Sequence, residues 1–325
     1  MSSLLHTVAV ALCVAMGAAA QPAPAASEYP ARAIRLVLPF PPGGGTDTLG
    51  RLLAQRLAQA LGQPVTVENR PGAGGNIGNE LVAKALPDGY TLLLATPSLA
   101  ISPTLYRKLN YDPIKDLIPV AMAAEIPTMF VVHPNVDARS MRELVQLARA
   151  QPGKLAFGTG GAGTGNELGA HLFLSTTRLK ILVVPHKGVN QATLALLGGH
   201  VDMVIAGLST VGPHIREGKV RALALLGPER SSAFAQVPTA AEAGFPWLQV
   251  RGWYIVMAPS GTPRSVVEHL NPAITRIVTS ADARARFAKL GFEPMTGTPE
   301  DAARFIAVET QRWSKVVHAA GVRVE

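Results

Sequence analysis

Short apolar runs and amphipathic runs alternate along almost the whole chain. AIRLVLPF precedes TLGRLLAQRLAQAL, in which leucine and alanine recur at helical spacing, and PVTVEN precedes a second helical pattern, NIGNELVAKAL. TLLLATPS follows, and beyond the turn LPDGY comes a proline-punctuated stretch, LNYDPIKDLIPV. The alternation then resumes through TMFVVHP, SMRELVQLARAQ, KLAFGTG, GNELGAHLFLSTT, ILVVPH, NQATLALLGG, VDMVIAGL and VRALALLG. Short apolar strands separated by helices predict an α/β protein with parallel sheets covered on both faces. After RGWYIVMAP the pattern changes to three consecutive helices between Pro263 and Ala320.

Two stretches read as crossings between domains, Ala123 to Pro127 and Gln249 to Pro259. Two crossings imply a discontinuous first domain, residues 27–125 plus 250–325, with an inserted second domain over 126–249. A cleft between two α/β domains is a favoured place for a small ligand.

Two glycine-rich segments sharpen that expectation. In LPFPPGGGTDT an apolar strand meets two prolines, three glycines and Thr46-Asp47 just before a helix. Glycine permits close backbone approach, and Thr46 and Asp47 are candidates to cap the helix. A helix start carries unpaired N–H groups at a positive dipole end, which suits an anion. FGTGGAGTGNE, Phe157 to Glu167, repeats the arrangement in the other half of the chain. One such loop reads as a tight turn, whereas two at strand-to-helix junctions in different halves read as a ligand site.

Composition restricts the partners. The net charge of +8 favours anions in general, but Lys and Arg are scattered and aromatic residues make up only 5%, so nucleic acid is not expected. The segment MSSLLHTVAVALCVAMGAAAQPAPAAS contains an apolar run ending in Ala18-Ala19-Ala20, the small-residue pattern of an export signal. The run is shorter than the roughly 20 residues of a spanning helix. Residues 1–26 therefore read as a signal peptide and linker, and the mature protein as periplasmic. The only cysteine, Cys13, lies inside that signal.

No catalytic constellation stands out. Gly158, Gly160 and Gly163 satisfy G-x-G-x-x-G, yet the acidic residue expected about 20 positions on is absent. GGGTDT lacks the lysine of a phosphate loop, no G-x-S-x-G exists, and the histidines have no metal-ligand spacing. No cofactor and no metal are expected. His186 and Lys187 at a strand end either face the cleft or form a solvated pair. Asp202, which starts a strand, is either a turn-capping carboxylate or a cleft acceptor. Trp253 and Tyr254 on the second crossing read as core, and Phe40 as a wall of the pocket.

Taken together, YPARAIRLVLPFPPGGGTD, VENRPGAGGNIG, ALPDGYTLLLATPS, LYRKLNYDPIKDL, ARAQPGKLAFGTGGAGT, LLGGHVDMV and VPTAAEAGFP resemble the Bug-type (TctC-like) substrate-binding proteins of tripartite tricarboxylate transporters. The resemblance runs from about Tyr29 to the C-terminus. It implies a periplasmic binding protein fold, two α/β domains around a central cleft, and no catalysis. In that family two loops grip a ligand carboxylate through backbone amides, hydroxyls and bridging waters. The matching positions here are Phe40, Gly44, Thr46 and Asp47 in the first loop, and Thr159, Gly160, Thr164 and Asn166 in the second. Thr96 and Ser98 match a further cleft-lining segment. The chain departs from the family where Asn166-Glu167-Leu168 replaces a Ser-Gln-His-like run, and where Ala206-Gly207 replaces an aromatic and a polar residue.

The resemblance further implies a monomer that delivers a small organic carboxylate to transporter subunits in the membrane. Two alternatives stay open at this point. One is a sensor presenting its closed form to a signalling receptor; the other is a dinucleotide-dependent oxidoreductase using Gly158 to Gly163.

Overall fold

The computed structural model describes residues 29–324; the export segment expected over 1–26 lies outside them. The chain opens with β1 (Ile34–Leu38), α1 (Gly45–Leu61), β2 (Val65–Asn69), α2 (Asn76–Ala83), β3 (Thr91–Ala95), α3 (Pro97–Leu105) and β4 (Leu117–Ile126). It continues with β5 (Thr128–Val132), α4 (Met141–Ala150), β6 (Ala156–Thr159), α5 (Gly165–Thr177), β7 (Leu182–Pro185), α6 (Val189–Leu197), β8 (Met203–Gly207), α7 (Leu208–Arg216) and β9 (Arg221–Leu225). The last part holds β10 (Gly252–Pro259), α8 (Arg264–Thr279), α9 (Ala281–Leu290), β11 (Glu293–Pro294) and α10 (Pro299–Ala320). Among the described residues, no helix is long and apolar enough to cross a membrane.

The strands form two sheets, ordered β11-β4-β10-β3-β1-β2 and β7-β6-β8-β5-β9. Side chains alternate across the first sheet with the period of two that a strand imposes. Ile34, Leu36 and Leu38 join Leu49, Leu53 and Leu57 of α1 on one face, while Val37, Leu93 and Ala95 face the opposite core. That second core runs on without a break into the other sheet, where Phe130 packs edge-on against Phe157 and Phe173 at 5.3 and 5.2 Å. Strand β5 is buried throughout, as the apolar run MFVV after Thr128 requires.

The sheets are mixed rather than wholly parallel, which corrects the expectation from the alternating pattern. β1, β2 and β3 run parallel, as do β6, β7 and β8. β10 is antiparallel to β3 and β4, and β5 is antiparallel to β8 and β9. Chain crossing supplies the reason. β4 ends at Ile126, and Pro127 passes the chain directly into β5, whose Thr128 lies opposite Gly207 at the end of β8. A strand entered at the end where its neighbours finish must run against them. The return at Gly252, opposite Ile126, reverses β10 in the same way.

Candidate ligand-binding site

Between the two sheets lies a cavity of about 190 Å³, far above the ~10–15 Å³ that admits one water. Its lining comes from the loops after β1, β3, β7 and β8, from the start of α5, and from the two crossings.

The first glycine loop is braced from behind by Asp47. Its Oδ2 accepts the Gly43 N–H at 3.1 Å and Arg51 Nε at 2.9 Å, and its Oδ1 accepts Asn69 Nδ2 at 3.1 Å. Asn69 Nδ2 also reaches the Phe40 carbonyl at 3.0 Å. Burial opposes the charge on Asp47, but Arg51, the Gly43 amide and Asn69 together hold it below the usual carboxylate range. Gly44, not Thr46 or Asp47, is the N-cap of α1, and no side chain bonds the helix start. Gly45 is required by close approach: a Cβ there would stand 2.7 Å from Tyr254 Oη and 3.0 Å from Ser209 Oγ. A Cβ on Gly44 would meet nothing within 4 Å, so this residue presents open space to the cavity.

The same helix-start geometry recurs around the cavity. α1, α3, α5, α6 and α7 begin at Gly44, Thr96, Thr164, Gly188 and Gly207, and none of these N-caps bonds its helix through a side chain. All five caps line the cavity. The hydroxyls available are turned elsewhere, Thr164 Oγ1 to the Gly161 carbonyl at 2.7 Å and Thr96 Oγ1 to Ser98 Oγ at 3.0 Å. Away from the cavity, α4, α9 and α10 are capped by Ser140, Ser280 and Thr298, while α2 and α8 start uncapped at Gly75 and Pro263. Converging uncapped helix starts concentrate unpaired N–H groups and positive dipole ends in one place.

Side chains complete the same polarity. Among the described residues no Asp or Glu lines the cavity, and the lining cations are Lys187 and Arg251. Arg251 is held by Glu125 in a two-pronged pair at 2.6 and 2.7 Å, whereas Lys187 is exposed and forms no ion pair among the described residues. Burial pushes the Tyr254 hydroxyl up to about 12, against the opposing effect of Thr46, so it stays a neutral donor. Asn166 Nδ2 and Ser209 Oγ line the cavity buried and without a partner among the described residues. Buried polar atoms are rarely left unpaired, and a ligand acceptor in the cavity would supply the missing partner. Ile126, Val189, Ile205, Val250 and Trp253 give the rest of the wall an apolar character.

Phe40, Gly44, Thr46, Thr96, Ser98, Thr164 and Asn166 stand in the cavity wall where the sequence suggested. Asp47, Thr159, Gly160 and Asp202 do not. Asp47 shapes its loop from outside, as described. Thr159 is fully buried at the end of β6, its carbonyl accepting the His186 N–H at 2.9 Å. Gly160 accepts the Gly188 N–H at 3.1 Å, and a Cβ there would press on Val189 N and Asn166 Oδ1, each at 3.1 Å. Its glycine thus serves the packing of one loop on another.

Asp202 is the clear correction. It precedes β8, at the end opposite the cavity, and its Oδ2 accepts the Ala156 N–H at 2.7 Å where β6 begins. Of the two roles open to it, backbone capping is the one the geometry supports. Sequence reasoning passed over Asn190, Gln191, Ser209, Thr210 and Arg251, and it took Trp253 and Tyr254 for core alone. Both aromatics are buried and also face the cavity. Their place on a segment already identified as a crossing was the available signal.

Comparison with known proteins gives a consistent result. The sequence model of the family described as "Tripartite tricarboxylate transporter family receptor" (TctC) matches residues 49–322. Protein BugT of Bordetella pertussis is 41% identical over 302 residues, 92% of this chain and 93% of its own. A solved R. palustris protein with adipate is 35% identical with a TM-score of 0.87, covering 91% of this chain and 99% of that one. MatC from Rhodopseudomonas palustris with bound malate is 34% identical with a TM-score of 0.82, covering 89% and 100%.

Proposed function

This chain belongs to the tripartite tricarboxylate transporter receptor family, and from that premise we propose that it captures a small organic carboxylate between its two sheets for uptake. It is a solute-binding protein of the periplasmic binding protein fold. The observation that carries the ligand class is the convergence of five uncapped helix starts on a cavity with no acidic side chain. Relatives solved with adipate and with malate support the same class.

The carboxylate is held chiefly by backbone amides of the first turns of α1 and α5, with Asn166 Nδ2 and Ser209 Oγ donating to the same ligand. Each charge-assisted bond contributes on the order of 1.5–3 kcal/mol. Residues 27–125 with 250–325 form one domain and residues 126–249 the other, hinged at Pro127 and Arg251. A ligand touching both loops at once favours the closed arrangement, because only that arrangement offers all the contacts. The closed monomer then delivers its ligand to membrane subunits of a tripartite transporter from the periplasm.

A thermal-shift panel tests the reading. Mono- and dicarboxylates, malate and adipate among them, are expected to raise the melting temperature, with nucleotides and neutral sugars inert. A response to sugars with every carboxylate silent would overturn the ligand class. For location, N-terminal sequencing of protein recovered from a bacterial envelope is expected to begin near Gln21 or shortly after; intact Met1 in the cytosol contradicts export.

A further inference from the structure

The C-terminal helix holds one buried carboxylate that the carboxylate-binding reading does not use. Glu309 of α10 is 5% exposed and accepts two indoles on the same oxygen, Trp253 Nε1 at 3.0 Å and Trp313 Nε1 at 3.2 Å. Arg312 clasps it from the outside with Nε on Oε1 at 2.7 Å and Nη2 on Oε2 at 2.9 Å, while its Nη1 donates to the Gln249 carbonyl at 3.2 Å. Burial opposes the charge on Glu309, and Arg312 with the two indoles outweighs it, so its carboxyl lies below the usual range.

The two indoles lead to different parts of the site. Trp253 is a wall of the cavity and meets the Phe305 ring edge-to-face at 5.7 Å. Trp313 backs Gly165, the first residue of α5: a Cβ on Gly165 would lie 3.4 Å from Trp313 Cζ2. Gly165 lines the cavity from the opposite sheet. α10 itself packs on α3 and β4 of one sheet and on α5 of the other. A buried ion pair is a weak source of net stability compared with a well-packed apolar cluster, so its value here is in fixing two ring orientations together.

We propose that Glu309 is a positioning residue for the ligand site, setting through Trp253 the cavity wall and through Trp313 the seat of the α5 helix start. This inference rests on the carboxylate-binding reading, and its test separates the two. Adipate and malate are titrated by calorimetry into the unaltered chain, Glu309→Ala, Glu309→Gln and Phe287→Leu, the last a core change in α9 outside the cavity lining. Glu309→Ala is expected to weaken binding about tenfold, the loss of roughly one hydrogen bond. Glu309→Gln keeps one oxygen for the indoles and is expected to fall between; it also stands in should the alanine variant not fold. Phe287→Leu lowers stability and leaves affinity unchanged. In a Trp253→Phe background, Glu309→Ala is expected to cost less than it does alone, the coupling expected of two groups acting as one.

A second readout needs no ligand. With Trp247→Phe, the remaining indoles are the two bonded to Glu309, and Glu309→Ala is expected to red-shift their emission and raise acrylamide quenching. Unchanged affinity, strict additivity with Trp253→Phe, or unmoved emission each overturns the proposal. If neither acid binds the unaltered chain, the choice of these two ligands fails, and emission alone decides the positioning claim.

Discussion

Gly44 and Gly45 are neighbours with opposite surroundings, and alanine at each separates ligand contact from packing. The Gly44 backbone is extended, with φ −86° and ψ 178°, which any residue adopts, and a Cβ there meets nothing within 4 Å. Replacing a glycine N-cap by alanine costs about 0.5–1 kcal/mol, while reducing unfolded-state freedom returns about 0.4–1 kcal/mol. The melting temperature of Gly44→Ala should therefore stay within about 2 °C of the unaltered protein. Its methyl group, however, stands in the space a carboxylate needs beside the α1 amides. Displacing one or two charge-assisted bonds of ~1.5–3 kcal/mol each weakens binding at least ~10-fold. Gly45→Ala must push aside Tyr254 Oη and Ser209 Oγ. Overpacking of that kind costs about 1–3 kcal/mol, or roughly 2–12 °C at ~2–4 °C per kcal/mol. Differential scanning fluorimetry without ligand, and calorimetry with the best acid of the panel, read the two effects apart. Gly44→Ala binding as tightly as the unaltered protein would refute the role of the α1 start as an anion contact.

Three further predictions follow from named groups. Ser209→Ala removes a buried hydroxyl that has no protein partner, so stability without ligand should hold or rise while carboxylate affinity drops by about 1–2 kcal/mol, or roughly 5–30-fold, in calorimetry; unchanged affinity places the ligand elsewhere. Asp202→Ala should lower stability by about 1 kcal/mol in urea titrations, through loss of the Ala156 bond, and leave affinity intact; a binding defect would return Asp202 to the site. Glu309 has a folded-state pKa below the ordinary value of 4.5, so its stabilisation is complete above that value and is lost as the pH falls through the lowered one. The stability gap between the unaltered protein and Glu309→Gln should thus narrow only below pH 4.5, and a gap constant down to pH 3 contradicts the assignment.

Much of this site was legible because its loops are marked by residues that do little else. Two prolines stiffen the chain after an apolar strand and three glycines permit a sharp turn into a helix, and that turn is where Phe40, Gly44 and Thr46 stand. Helices α3 and α7 were hidden for a physical reason: Pro103, and Gly212 with Pro213, interrupt the helical period in segments held by tertiary packing. β4 was obscured in the same way by Pro119 and the small residues after it. Asp202 shows a different limit. Residues before a parallel strand lie at the end away from the crevice, so the order GGHVDMVIAG already argued against a cleft role. The two crossings were legible, but the reversed directions of β5 and β10 depend on which end of the neighbouring strands each crossing meets, and that is set by the tertiary arrangement.

The central claim is that uncapped helix starts recognise the charge of a carboxylate, and calorimetric titration of the best acid from the panel beside its own primary amide tests it most directly. The pair matches in size and shape and differs in the negative charge. The acid is expected to bind one site per chain and the amide at least ~100-fold more weakly, the loss of about two charge-assisted bonds at the low end of their range. Equal affinity for acid and amide would contradict the account, because the convergence of α1, α3, α5, α6 and α7 would then serve no anion.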